Sequence, residues 1–276
     1  MTGELAELLQ SYSKTERIAD REYVDRICSL VVHSKHIEKY LNNVMVVDNS
    51  FFKPGEMIKH TTYYLKSHII LVNLDDDHSV EAEASMSEKD YLEWYNAGIL
   101  DTTLHELQHV DQENDRLTDP KSLKSQLIEL TDTDVKKPNK RFYARILRKP
   151  IIRILHDYYD ERHDLAPVER MAELESIDET DRVIRSIENR SYGLEDFLRC
   201  QSCCKEETLL KGYRLEGNIT NSPSLDFLEN MPHTKNKEII ANNPLFRDMS
   251  LPFEERLLYG LPLTKEEFVK VKRMSR

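Results

Sequence analysis

His105 and His109 stand four residues apart in the run His105-Glu106-Leu107-Gln108-His109. On a helix, positions i and i+4 share one face, roughly 6 Å apart along the axis. Two neutral imidazoles so placed can reach one Zn2+ at about 2.0–2.1 Å. Glu106, adjacent to the first histidine, lies beside such a metal without binding it and can take a proton from a water held there. Zinc lowers the pKa of that water toward about 7 and polarises a scissile carbonyl, which is the logic of metal-assisted amide hydrolysis. The plain alternative is a surface helix carrying two solvated histidines. Leu100, Leu104, Leu107 and Val110 favour the metal, because they form a core stripe distinct from the histidine face.

The elements that must position these residues follow from periodicity. Residues 1–42 read as helices, with Leu5, Leu8 and Leu9 and then Tyr23, Ile27, Leu30 and Val31 at three-to-four spacing. Strands are expected at Val44–Val47, Thr61–Leu65 and His68–Leu74, the stretches richest in Ile, Val, Tyr and Thr. Ser87-Glu88-Lys89-Asp90 reads as a helix start. That helix is expected to stop at Asn96-Ala97-Gly98, and a new one, capped by Asp101 or Thr102, to carry the histidines to about Asp115. Asp119-Pro120 marks a break. Residues 121–163 look helical around a polar connection, Pro167 opens a long helix, and Tyr192-Gly193 separates it from another over 194–211. From Gly212 onward Pro and Asn rise and the pattern breaks into short pieces, Ser224–Asn230 and Leu251–Tyr259 among them. The last residues, KEEFVKVKRMSR, read as a charged terminal helix.

With this motif on a helix that follows a block of strands, the chain resembles the zincin metallopeptidases over about Thr61–Ile187. The metzincin pattern requires Gly and His just after His109, where VDQEND stands instead. The gluzincins supply a Glu from a later helix, followed three residues on by a small residue and four on by a carboxylate. Glu169, Ala172 and Glu173 fit that pattern. The resemblance therefore implies Glu169 as the third zinc ligand and Glu173 as the acceptor that orients His105. Glu175 is the rival ligand, and an ordinary acidic helix face is the plain reading of this stretch. The interval from His109 to Glu169 is long and no Asn precedes Glu169, so the resemblance requires an inserted helical segment. It also implies that His68–Leu74 is an edge strand beside the active-site helix, able to pair with an extended peptide. A carbonyl oxyanion would need a donor opposite the zinc, for which Tyr158, Tyr159, His156 and His163 are candidates that the sequence does not separate.

Other signals are weaker. The 276 residues hold 39 Lys+Arg against 50 Asp+Glu, a net charge of −11, whose field repels phosphate. Neither nucleic acid nor a membrane is an expected partner, since no apolar run approaches the roughly 18 residues that span a bilayer. The basic run from Lys136 to Lys149 reads as a solvated face. Of the four cysteines, Cys200, Cys203 and Cys204 sit within one short stretch and Cys28 lies far away. They form no disulfide framework and no full zinc set, so packed or incidental thiols in a reducing, cytoplasmic setting are expected. Asp75, Asp76 and Asp77 lack the Gly and Glu of a calcium loop and read as a turn. His33 and His36 read as structural.

The expected fold is α+β, predominantly helical, with a zincin-like small sheet packed on the HExxH helix and a helical lower subdomain. Residues 1–60 are expected to form an N-terminal helical segment and first strand, 61–194 the zincin-like core, and 195–276 a helical or irregular extension. The expected function is zinc-dependent hydrolysis of a peptide or protein substrate, with one Zn2+ on His105, His109 and Glu169, and Glu106 as base. The alternative is a catalytically inactive zincin-like protein with a structural or regulatory binding role.

Overall fold

A computed structural model describes residues 1–52, 61–64, 67–75, 86–131, 162–225 and 242–274. In chain order its principal elements are α1 (Thr2–Lys14), α2 (Arg21–Lys35), β1 (Asn43–Val47), β2 (Thr62–Tyr64), β3 (Ile69–Asn73), α3 (Glu88–Thr118), α4 (Leu123–Thr131), α5 (Pro167–Arg185), α6 (Tyr192–Leu210), β4 (Arg214–Glu216), β5 (Ile219–Asn221), α7 (Phe253–Leu258) and α8 (Lys265–Met274). The fold is predominantly helical α+β with a small mixed sheet. No helix among the described residues is long and apolar enough to cross a membrane.

The chain divides into two compact units, each discontinuous in sequence. The first comprises Met1–Asn114 and Glu175–Cys204, the second Asp115–Leu174 and Lys205–Arg276.

In the first unit, α1 buries Leu5, Leu8, Leu9 and Tyr12, and α2 buries Tyr23, Val24, Ile27 and Val31, one stripe each at helical spacing. Asp20 caps α2 by accepting the Tyr23 amide at 3.0 Å, and His36 ends it in the left-handed conformation, φ 57°. The strand order is β1-β3-β2, with β1 parallel and β2 antiparallel to β3. The expectation that His68–Leu74 is an edge strand is therefore wrong. The strand it contains is central, and Ile70, Leu71, Val72 and Asn73 are all buried. A continuous apolar run suits a strand covered on both sides, whereas a strand with one solvated face alternates. Among the described residues β2 is one edge, with Tyr63 buried and Tyr64 exposed.

A second correction concerns α3, which runs unbroken through the expected stop at Asn96-Ala97-Gly98. Asn96 is buried and bonded outward. Its side chain accepts the Ala19 amide at 2.6 Å and donates to the Arg17 carbonyl at 3.0 Å, so it joins helices rather than ending one. Thr102 and Thr103 are not caps. Their hydroxyls donate back to the carbonyls of Gly98 and Ile99, as mid-helix threonines do. Asp101, the other expected cap, accepts from Thr180 at 2.9 Å and Gln201 at 2.8 Å, tying α3 to α5 and α6. The start is as expected, with Ser87 accepting the Asp90 amide at 3.2 Å. Gly193 is obligatory beneath that start, because a Cβ there would lie 2.0 Å from the Asp90 carbonyl oxygen. One apolar cluster, drawn from α1, α2, the sheet, α3, α5 and α6, forms this unit's core.

The second unit has smaller cores. Leu127, Ile128, Leu165, Val168, Met171, Phe246 and Leu261 pack together, and Tyr213, Leu263 and Val271 form a second cluster. The Gly212–Asn221 stretch, which periodicity reads only as broken, contains the β4–β5 hairpin around Gly217-Asn218. The terminal helix forms as α8. Its start is held by Glu267, which accepts the Thr264 amide at 2.9 Å and pairs with the buried Arg256.

Candidate metal centre

His105 and His109 lie one turn apart on α3 and both are half-buried, while Leu104, Leu107 and Val110 beside them are buried. The core stripe and the histidine face are thus separate, as the spacing requires. The two Nε2 atoms stand 3.2 Å apart, with the rings nearly perpendicular at 79°. Two ligand atoms on a tetrahedral zinc at about 2.0–2.1 Å are separated by roughly 3.3 Å, so the imidazoles already have the spacing of a shared ion. Gln112, buried one turn further on, places its Oε1 3.0 Å from His109 Nδ1. Its carbonyl accepts the Nδ1 proton and leaves the lone pair on Nε2, the atom facing His105.

Glu106 points off the histidine face and is 6 % exposed. One of its carboxylate oxygens accepts the backbone amide of Tyr63, on β2, at 2.5 Å. Such a bond offsets part of the cost of burying a carboxyl group beside an apolar stripe. Tyr63 is itself fixed, its hydroxyl donating to the Tyr40 carbonyl and lying 2.9 Å from His68 Nδ1. Lys35, in the last turn of α2, bonds Gln108 at 2.8 Å and Asp111 at 2.6 Å, pinning the turn of α3 that carries the histidines.

Glu169 occupies the first turn of α5 and is half-buried, with Oε1 3.3 Å from Nε2 of His163 in the short turn before the helix. The ligand atoms of His105, His109 and Glu169 all lie within 4.8 Å of one another. Among the described residues this is the group of His, Cys, Asp and Glu side chains with the spacing to hold a metal ion, and it includes Glu169 rather than Glu175. The set fits zinc in kind, since two imidazoles and one carboxylate are a common set for this ion. Glu173 is one turn along α5 from Glu169 and half-buried. Of the four oxyanion candidates, His163 lies against Glu169, and His156, Tyr158 and Tyr159 fall outside the described residues.

Sequence reasoning missed Gln112 and Tyr63. Gln112 carried a signal, three residues beyond His109 on the same face. Tyr63 carried none, because its contribution is a backbone amide.

The remaining candidates stand apart. Cys200, Cys203 and Cys204 form no disulfide and are exposed on α6, so they are not packed, while Cys28 forms no disulfide and is buried. Burial pushes the Cys28 thiol up to about 12. Asp75 accepts the Asn49 amide at 2.9 Å, as a turn residue does, and Asp76, Asp77 and the basic run from Lys136 to Lys149 lie outside the described residues. His33 is exposed and His36 is the cap of α2.

No family model matches the chain, and neither a curated protein nor a solved structure is significantly similar to it.

Proposed function

We propose that this chain is a zinc-dependent metallopeptidase of the zincin type, with the gluzincin ligand set. One observation carries the reading: His105, His109 and Glu169 bring their ligand atoms within 4.8 Å of one another, with a buried glutamate, Glu106, between the two histidines in sequence. A zinc ion held there would acidify a bound water and polarise the scissile carbonyl. Gln112 fixes the His109 tautomer, and Glu173 is assigned the same task for His105. Glu106 takes the proton of the attacking water and passes it to the leaving amine. His163 is the oxyanion donor that the described residues supply.

The substrate is an extended peptide or protein segment. β3 is paired on both sides, so a substrate strand would have to pair at an edge of the sheet, of which β2 is one among the described residues. Four cysteines that form no disulfide support a reducing, cytoplasmic setting.

A second reading, a catalytically inactive zincin-like binding protein, is favoured by one contact. The Glu106 carboxylate is already engaged by the Tyr63 amide. Metal analysis and peptide hydrolysis on the wild type, Glu106→Gln and Glu169→Gln separate the two. The peptidase reading requires about one zinc per chain in the wild type and Glu106→Gln, loss of zinc in Glu169→Gln, and hydrolysis by the wild type alone. Zinc without hydrolysis across a peptide library selects the binding protein, and a wild type that takes up no zinc removes the peptidase.

A further inference from the structure

Arg170 is 3 % exposed, yet among the described residues none of its hydrogen bonds runs to a carboxylate. Its guanidinium donates to the Thr208 and Leu209 carbonyls, the latter at 3.1 Å, and twice to the Leu257 carbonyl, at 3.2 and 2.9 Å. These oxygens belong to the last turns of α6 and α7, at the negative end of each helix dipole, and the Leu257 carbonyl also accepts the Gly260 amide at 3.3 Å. The Tyr213 ring lies 5.4 Å beneath the guanidinium. The path to this seat is kept open by Gly260, where φ is 65° and a Cβ would come within 3.2 Å of Arg170 Cδ and 3.1 Å of Pro223.

Burying an arginine without an ion pair is expensive, and a leucine or methionine would fill the space at less cost. What an apolar side chain lacks is direction. Three carbonyls in fixed helix ends allow the planar donor fork one orientation. Consecutive helical residues point about 100° apart, so fixing Arg170 fixes the rotation of the first turn of α5 and with it the aim of Glu169. Val168 and Met171, buried on either side, set the depth of the same turn.

We infer that Arg170 is a positioning residue for Glu169: it locks the first turn of α5 onto the C-termini of α6 and α7 so that the Glu169 carboxylate is presented at ligand distance. This rests on the metal-centre reading above.

The test uses the full chain as wild type, Arg170→Lys and Glu169→Gln. Zinc affinity is measured by competition with a chromophoric chelator, the absorption bands of the cobalt(II)-loaded protein are recorded, and folding is followed by circular dichroism. Lysine keeps the charge and cannot span three carbonyls. The expected result is that Arg170→Lys stays folded, binds zinc about tenfold or more weakly, and shifts its cobalt bands toward those of Glu169→Gln. Wild-type affinity and wild-type bands in Arg170→Lys, with only the melting temperature lowered, would overturn the inference and leave a purely structural anchor. If Arg170→Lys does not fold, Gly260→Ala, which crowds the same side chain, takes its place under the same criteria. A wild type that binds neither zinc nor cobalt overturns the metal centre itself, which is distinguishable from a metal-binding wild type with an indifferent variant.

Discussion

Gln112 and His109 face each other one turn apart on α3, with Oε1 3.0 Å from Nδ1, and Gln112 is 1 % exposed. A buried carbonyl in that place decides which imidazole nitrogen carries the proton. Replacing Gln112 by Leu keeps the volume and removes the acceptor. Zinc affinity, measured by chelator competition, should fall about tenfold or more, with little change in helix content. Unchanged affinity would mean that His109 needs no orienting partner.

Glu106→Gln offers a sharper separation of binding from chemistry. The amide side chain can still accept from the Tyr63 amide, so the local fold should survive, and zinc content should stay at the wild-type level. Peptide hydrolysis should drop by about two orders of magnitude or more, the usual worth of a positioned general base. A variant that retains hydrolysis would remove Glu106 from the mechanism.

Gly193→Ala should destabilise the first unit. The added methyl would meet the Asp90 carbonyl oxygen at 2.0 Å, so α6 must shift away from the start of α3. A loss of about 1–3 kcal/mol is expected for overpacking of this kind, read as a lower urea midpoint. A midpoint equal to that of the wild type would show that the two helices do not approach as described.

The acid limb of stability should report Glu267. Burial by itself would raise this carboxyl, but hydrogen bonds from Arg256 and Thr264, together with the Arg256 charge, outweigh it and hold the carboxyl below its ordinary value. A depressed carboxyl contributes stability that is complete above the unfolded value, about 4.3, and is lost as pH falls through the folded one. Melting temperatures of wild type and Glu267→Gln should therefore differ at pH 7 and converge as pH falls below about 4. A difference that is constant with pH would assign the effect to packing.

The thiols should divide three to one. Cys200, Cys203 and Cys204 are exposed and Cys28 is buried with its thiol raised to about 12. A chromogenic disulfide reagent should titrate three thiols in native protein and a fourth only on unfolding. Four native thiols would place Cys28 at the surface.

The local elements were legible because their signals are local. Stripes such as Leu5, Leu8 and Leu9, the Ser87–Asp90 start of α3 and the Ile-Val run of β3 each lie within a few residues and obey one period. The spacing of His105 and His109 was legible for the same reason, since helix geometry alone sets it. The continuity of α3 was not, because Asn96 and Gly98 carry termination signals that bonds to Arg17 and Ala19 and packing on Phe197 override. The central place of β3 was not, because strand order depends on pairing between segments that no local pattern records. Nor were the seat of Arg170 and the role of the Tyr63 amide, since both depend on backbone atoms brought together from distant parts of the chain. A sequence displays side-chain types and their periods, and backbone donors and acceptors gain individual roles only when folding leaves some of them unpaired.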